Sequence, residues 1–204
     1  MSVLWIIGEA KSGKSELAEK IFTHLPGKKF YIGTLPRTPR WMETIKKHAA
    51  RRPKSWKLIE IMNSMDVATK IIEESSKSET VSVLLDGWGV YLERRASKWG
   101  KENIGLTLND EKAFVEQMYE EYRRLLSVCD YLIIVEHIKY TPPTREDYEA
   151  DPITWRVRAV VSRCLAEADK IIYHDKLDVS HKDEEFVKQV ANEMIMHSNT
   201  RIQH

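Results

Sequence analysis

Residues 3–15 read Val-Leu-Trp-Ile-Ile-Gly-Glu-Ala-Lys-Ser-Gly-Lys-Ser, and this stretch decides the fold. Residues 3–7 form a short apolar run that ends at a glycine, which is typical of a buried strand. Residues 8–15 match the pattern G-x-x-x-x-G-K-[ST], and apolar side chains then recur at helical spacing up to residue 25. A strand, this loop and a helix in that order predict a phosphate-binding P-loop, so the protein is expected to bind a nucleoside triphosphate.

The chemistry of a P-loop assigns a role to each part of the motif. Its backbone N–H groups cradle phosphate oxygens, and the positive end of the following helix dipole adds to their attraction. Lys14 is expected to reach the β- and γ-phosphates, and the Ser15 hydroxyl is expected to ligate Mg²⁺. The predicted nucleotide-binding residues of the loop are Gly8, Glu9, Ala10, Lys11, Ser12, Gly13, Lys14 and Ser15.

A P-loop enzyme also needs a carboxylate near the metal, usually at the end of a neighbouring apolar strand. Residues 81–85 form the strongest buried strand of the sequence, and Asp86 follows it directly. We therefore predict that Ser15 and Asp86 are the metal ligands. The alternative is that Asp86 and Gly87 only form the turn that ends the strand.

Strands and helices alternate almost throughout the sequence. This pattern predicts one α/β domain over residues 1–204: a P-loop NTPase domain of the RecA-like type, with a mostly parallel sheet flanked by helices. Further strands are predicted at 29–32, 56–61, 81–85, 131–135 and 170–173. Further helices are predicted at 38–50, 65–75, 90–99, 111–128, 153–168 and 184–197. Residues 139–152 are polar and rich in proline, so they are predicted to form a loop.

Composition excludes several classes of protein. The net charge is +1, from 32 basic and 31 acidic residues, so no global excess favours nucleic acid as a partner. Cys129 and Cys164 lack a CxxC partner and are expected to be buried thiols. No stretch approaches the roughly 20 apolar residues of a membrane span, and the first residues lack the basic region of a signal peptide. We expect a cytoplasmic protein without a membrane span.

The segment at residues 44–56 is strongly basic and contains His48, Arg51 and Arg52. A histidine beside a P-loop can act as a nucleophile on a phosphoryl or nucleotidyl group. The neighbouring arginines can then neutralise the charge that develops. The alternatives are a solvated helix face and a patch that binds nucleic acid.

Several ordered motifs resemble one enzyme family. They are the P-loop at 8–15, the strand Tyr31-Ile32-Gly33-Thr34, a block with Met42, Ile45, His48, Arg52-Pro53 and Trp56, then Glu60, and the strand at 83–86 followed by Tyr91-Leu92. Together they resemble the adenosylcobinamide kinase/adenosylcobinamide-phosphate guanylyltransferase family of cobalamin biosynthesis. The resemblance covers roughly residues 1–95.

The resemblance implies a bifunctional transferase. It implies that His48 is the nucleophile that carries GMP covalently, and that adenosylcobinamide or its phosphate is the acceptor. GTP, ATP or both are the implied substrates, Mg²⁺ is the cofactor, and a homotrimer is the implied assembly. The implied nucleotide contacts beyond the P-loop are Gly33, Thr34, Leu35, Ala49, Ala50, Arg51, Arg52, Glu60 and Asp86. Two alternatives stay open: a small-molecule or nucleotide kinase without a covalent intermediate, and a nonenzymatic nucleotide-binding regulator.

Overall fold

The computed structural model describes residues 1–76, 79–103, 107–137, 143–174 and 183–201. The strands are β1 (Ser2–Ile7), β2 (Lys28–Gly33), β3 (Lys57–Glu60), β4 (Val81–Asp86), β5 (Tyr131–Glu136) and β6 (Lys170–Tyr173). The helices are α1 (Lys14–His24), α2 (Pro39–Arg51), α3 (Met65–Ser75), α4 (Trp88–Glu102), α5 (Leu108–Ser127), α6 (Arg145–Ala150), α7 (Pro152–Leu165) and α8 (Glu184–Arg201). The predicted order of strands and helices is confirmed for these elements, except α6, which was not predicted.

The six strands form one sheet in the order β3-β2-β4-β5-β1-β6, and every described pairing is parallel. The predicted parallel sheet is therefore confirmed. Because all the strands run the same way, their carboxyl ends meet at one edge of the sheet. The P-loop after β1 and Asp86 at the end of β4 lie at this edge, separated by the width of β5.

Side chains of β1 alternate between two apolar layers, as a strand covered on both faces requires. Val3 and Trp5 pack in a cluster with residues of α3, α4, α5 and α7. Leu4 and Ile6 pack in a second cluster with residues of α1 and α8. All four side chains are fully buried. The strand that carries the P-loop is therefore held from both sides.

Two expectations drawn from composition also have an outcome in the structure. Cys129 and Cys164 are free and buried, as predicted. No helix within the described ranges is long and apolar enough to cross a membrane.

The predicted loop at 139–152 is wrong for its described part. Residues 145–150 form α6, and α7 begins at Pro152. A capping box explains α6, because Thr144 accepts from the backbone of Asp147 while the Asp147 carboxylate accepts from the backbone of Thr144. Pro152 opens α7 because the first helical turn needs no N–H donor. Residues 139–142 of the predicted loop lie outside the described residues.

Candidate active site

The P-loop connects the end of β1 to the start of α1 by a compact turn. Gly13 has φ 102°, a left-handed conformation that favours glycine, directly before the first residue of α1. Within the described residues, the buried Ser12 Oγ has no hydrogen-bond partner. A bound phosphate oxygen would supply such a partner, because buried hydroxyl groups are normally hydrogen-bonded. The loop therefore fits the predicted phosphate ligand.

Lys14 lies over the loop. Its Nζ donates to the Glu9 carbonyl oxygen at 2.9 Å, and the side chain is buried. Burial lowers the pKa of Lys14, while the carboxylates of Asp86 and Glu136 act in the opposite direction. The two carboxylates thus favour the charged ammonium that phosphate binding requires.

Asp86 joins the P-loop to His48. Its Oδ1 accepts from Ser15 Oγ at 3.3 Å, on the P-loop side. Its Oδ2 lies 2.9 Å from His48 Nδ1 and accepts from the Tyr31 hydroxyl at 2.5 Å. The same hydroxyl lies 3.1 Å from His48 Nδ1. One carboxylate therefore contacts both halves of the site.

These contacts keep Asp86 ionised. Burial by itself would raise the pKa of this carboxyl group, but the net pKa is lowered by hydrogen bonding and charge attraction from His48, with Tyr31 and Ser15 contributing. The Tyr31 hydroxyl stays protonated, because burial and the adjacent Asp86 carboxylate raise its pKa well above the ordinary value. Tyr31 is therefore a donor to Asp86.

Thr34 fixes the turn after Asp86. Its hydroxyl lies 3.0 Å from the Asp86 carbonyl oxygen and 2.6 Å from the Gly87 carbonyl oxygen. Gly87 has φ 87°, and a Cβ at this position would lie 2.6 Å from Thr34 Oγ1. The end of β2 therefore positions the end of β4 through one hydroxyl group and one glycine.

A small cavity of about 30 Å³ lies beside His48. Six other residues of the predicted site line it, together with Tyr31 and Ile45; the six are Gly33, Thr34, Leu35, Arg52, Glu60 and Asp86. The structure thus brings seven of the ten predicted residues outside the P-loop, His48 included, to one place.

Arg52 and Arg51 have different surroundings. The Arg52 guanidinium lies 3.8 Å from the centre of the Tyr31 ring, and its Nε donates to the His48 carbonyl oxygen at 2.9 Å. Arg51 instead pairs with Glu19 of α1, at 2.8 Å from Nε to Oε2. Ala49 and Ala50 are exposed on α2 and do not line the cavity. Arg52 is therefore the arginine of this segment that faces the cavity.

Sequence reasoning did not select Tyr31 or Ile45 as site residues. Tyr31 lies on β2 two residues before Gly33, on the same face of the strand. Ile45 lies three residues before His48, so the two share one face of α2. The signal available in the sequence was the spacing of Tyr31 from Gly33 and of Ile45 from His48.

The family comparison bears on this arrangement. The sequence profile of the cobinamide kinase / cobinamide phosphate guanyltransferase family matches residues 4–137. The chain belongs to this family. The match covers about two thirds of the 204 residues and extends well beyond residue 95, so the extent expected from the motifs was too short. No curated protein matches the chain in sequence.

A solved structure supports the fold. The chain resembles the assembled ATPase EscN from the type III secretion system of enteropathogenic E. coli, with a TM-score of 0.54 and 15% sequence identity. The similarity covers 86% of this chain and 43% of the ATPase chain. At this identity it supports the P-loop, RecA-like fold and carries no statement about activity.

The family's nucleotide chemistry makes Mg²⁺ the metal to test against the residues present. Among the described residues, no group of three or more His, Cys, Asp and Glu side chains forms a metal cluster. Mg²⁺ does not need one, since it usually binds one or two carboxylates, substrate phosphates and water. Ser15 Oγ and Asp86 Oδ1 lie 3.3 Å apart beside the P-loop, and these two oxygens fit that pattern.

Proposed function

We propose that this protein phosphorylates cobinamide at the P-loop and then transfers GMP from GTP to cobinamide phosphate through a covalent intermediate on His48. The observation that supports the guanylyl transfer is that Asp86 contacts both His48 and the P-loop. Its Oδ2 lies 2.9 Å from His48 Nδ1, while its Oδ1 faces Ser15 of the P-loop at 3.3 Å.

Asp86 prepares His48 as a nucleophile. A hydrogen bond from Nδ1–H to the carboxylate leaves the lone pair on Nε2. The Tyr31 hydroxyl donates to the same carboxylate oxygen, so the acceptor is fixed in place. The side chain of His48 is 14% exposed, which leaves a path for a nucleotide while excluding most water. His48 is thus a candidate nucleophile that is oriented by an adjacent carboxylate.

Two displacements complete the guanylyl transfer. Nε2 of His48 attacks the α-phosphorus of GTP; a P–N bond forms, and the bond to the bridging oxygen breaks as pyrophosphate leaves. A phosphate oxygen of the acceptor then attacks the same phosphorus, the P–N bond breaks, and His48 is restored. Arg52, which lines the cavity beside His48, is suited to neutralise negative charge on the phosphate oxygens.

The P-loop serves the phosphates of the nucleotide. Lys14 and the backbone N–H groups bind phosphate oxygens, and Mg²⁺ held by Ser15 and Asp86 would neutralise further charge when bound.

Labelling with α-³²P GTP and Mg²⁺ tests the covalent step. The wild-type protein is expected to acquire an acid-labile, alkali-stable label, as a phosphoramidate on histidine does. His48→Asn is expected to abolish the label and leave nucleotide binding at the P-loop intact. His197→Asn, at a partly exposed position on α8, is the matched control and keeps the label.

Two results count against the proposal. A wild-type protein that binds GTP but acquires no label contradicts the covalent intermediate. Phosphoryl transfer without any label, which survives His48→Asn, instead supports a kinase without covalent chemistry.

A further inference from the structure

A buried carboxylate outside the predicted site lies between the P-loop strand and the Asp86 strand. Glu136 ends β5, and its side chain has no exposed surface. Its Oε2 accepts from the Gly89 backbone N–H at 2.5 Å, and its Oε1 accepts from the His137 backbone N–H at 2.6 Å. Its Oε1 also lies 3.0 Å from His137 Nδ1. The carboxylate is therefore fixed, and it fixes the imidazole ring of His137.

The same residue is tied to the P-loop. The Glu136 carbonyl oxygen accepts from the Gly8 backbone N–H at 3.1 Å. The charge of Lys14 is close enough to act on the pKa of His137, and the charge of Glu136 acts on the pKa of Lys14. His137 therefore follows directly after the residue whose backbone binds the first residue of the P-loop.

Among the described residues, Nε2 of His137 has no partner within hydrogen-bond distance. Nδ1–H donates to Glu136, so the lone pair is on Nε2. The Glu93 carboxylate oxygen Oε1 lies 4.0 Å from Nε2, which is longer than a hydrogen bond. The side chain of His137 is 34% exposed, so a substrate hydroxyl can reach it.

We propose that Nε2 of His137 is the proton acceptor for the cobinamide hydroxyl that takes the γ-phosphoryl group. The inference rests on the kinase half of the proposed function. The hydroxyl O–H bond breaks and its proton moves to Nε2. A bond forms between this oxygen and the γ-phosphorus, and the bond from the γ-phosphorus to the bridging oxygen breaks, so the nucleoside diphosphate leaves. Glu136 acts through His137, by holding its tautomer and stabilising the imidazolium.

This assignment separates two histidines by role. His48 lies on the far side of Asp86 from the P-loop and is assigned to the α-phosphate of GTP. His137 lies at the end of the strand beside the P-loop and is assigned to the γ-phosphoryl acceptor. The two steps should therefore respond to different substitutions.

The test compares His137→Gln with the wild-type protein in two assays. The first follows ³²P transfer from γ-³²P ATP or GTP to cobinamide, and the second follows labelling of His48 by α-³²P GTP. Loss of a general base slows a reaction by about 10²- to 10⁴-fold. We expect a loss in that range in the first assay and a change below about threefold in the second. His197→Gln is the matched control and should change neither rate.

The pH profile provides a readout that a purely structural role would not move. The hydrogen bond that His137 donates to the Glu136 carboxylate raises the pKa of His137. Burial and the charge of Lys14 lower this pKa, and the charge of Glu93 raises it further. A proton must be absent from Nε2 for the reaction, so the wild-type kinase rate should fall as the pH drops through this raised pKa, above the ordinary value of about 6.5. The residual rate of His137→Gln should not fall with pH in this range.

Three outcomes would overturn the inference. The first is a kinase rate of His137→Gln within threefold of wild type. The second is an equal loss in both assays, which indicates a structural role. The third is a wild-type protein that labels His48 but does not phosphorylate cobinamide. A wild-type protein that does neither contradicts the proposed function itself, so the two failures are distinguishable.

Discussion

The substitution Tyr31→Phe removes one oxygen atom from the centre of the site. The Tyr31 hydroxyl donates to Asp86 Oδ2 at 2.5 Å and lies 3.1 Å from His48 Nδ1. The ring remains in the variant, so its burial and its stacking with Arg52 are retained. The change therefore isolates the hydrogen bond from the packing.

The size of the effect follows from the charge of the acceptor. A hydrogen bond to a charged group contributes about 1.5–3 kcal/mol. Asp86 is ionised, and without the hydroxyl the partner left to its Oδ2 among the described residues is His48. If the whole contribution is needed to hold His48 for attack, the rate of GTP labelling falls by about 10- to 150-fold, at 1.36 kcal/mol per tenfold. The free energy of unfolding should decrease by the same amount, about 1.5–3 kcal/mol.

The assay is single-turnover labelling with α-³²P GTP, accompanied by urea unfolding of both proteins. Tyr119→Phe is the matched control, because the Tyr119 hydroxyl donates to the Glu167 carboxylate away from the site. The control should keep the labelling rate of the wild type. The reasoning is refuted if Tyr31→Phe labels within twofold of wild type, or if both variants slow labelling equally.

Three other predictions concern the fold and its dependence on pH. Arg156→Met should lower the free energy of unfolding by about 3–5 kcal/mol, because it leaves the buried Glu111 carboxylate unpaired; adding Glu111→Leu should restore most of the loss in urea unfolding. Gly89→Ala should cost about 1–3 kcal/mol by thermal or urea unfolding, since the new Cβ would lie 2.5 Å from Glu136 Oε1. The pKa of Asp86 is lower in the folded protein than in the unfolded chain, where it is about 3.9, so the ionised carboxylate stabilises the fold above that pH. This stabilisation is lost as the pH falls through the pKa of Asp86 in the folded protein. The slope of unfolding free energy against pH below about pH 4 should therefore be smaller in Asp86→Asn than in wild type.

The parts of the fold that sequence predicts well are those with local causes. The apolar run of β4 is bounded by turn residues and is buried on both faces, so the positions of the strand and of Asp86 at its end follow from the run itself. The P-loop follows in the same way from its glycines and the strand before it. Elements of this kind need no knowledge of their partners.

Tyr31 and Glu136 were missed because their roles depend on partners far away in the chain. Tyr31 becomes a site residue because β2 pairs with β4, which brings Tyr31 and Asp86 within hydrogen-bond distance across 55 positions. Helix α6 depends on a short-range capping box, but prolines and acidic residues around it resemble a loop. Glu136 is overlooked because its burial is set by α4, whose Gly89 has no side chain where the carboxylate lies.

The placement of Asp86 has a consequence for the evolution of the two activities. Its Oδ1 faces Ser15 and its Oδ2 faces His48, so a substitution of Asp86 that alters the phosphate side also alters the hydrogen bonding of His48. Glu136 and His137 contact neither oxygen among the described interactions, so the proposed kinase base can change independently. On the proposed assignment, a change at His137 should therefore reduce the kinase step alone. On the same assignment, a change at His48, Tyr31 or Arg52 should reduce guanylyl transfer alone, whereas a change at Asp86 should affect both steps.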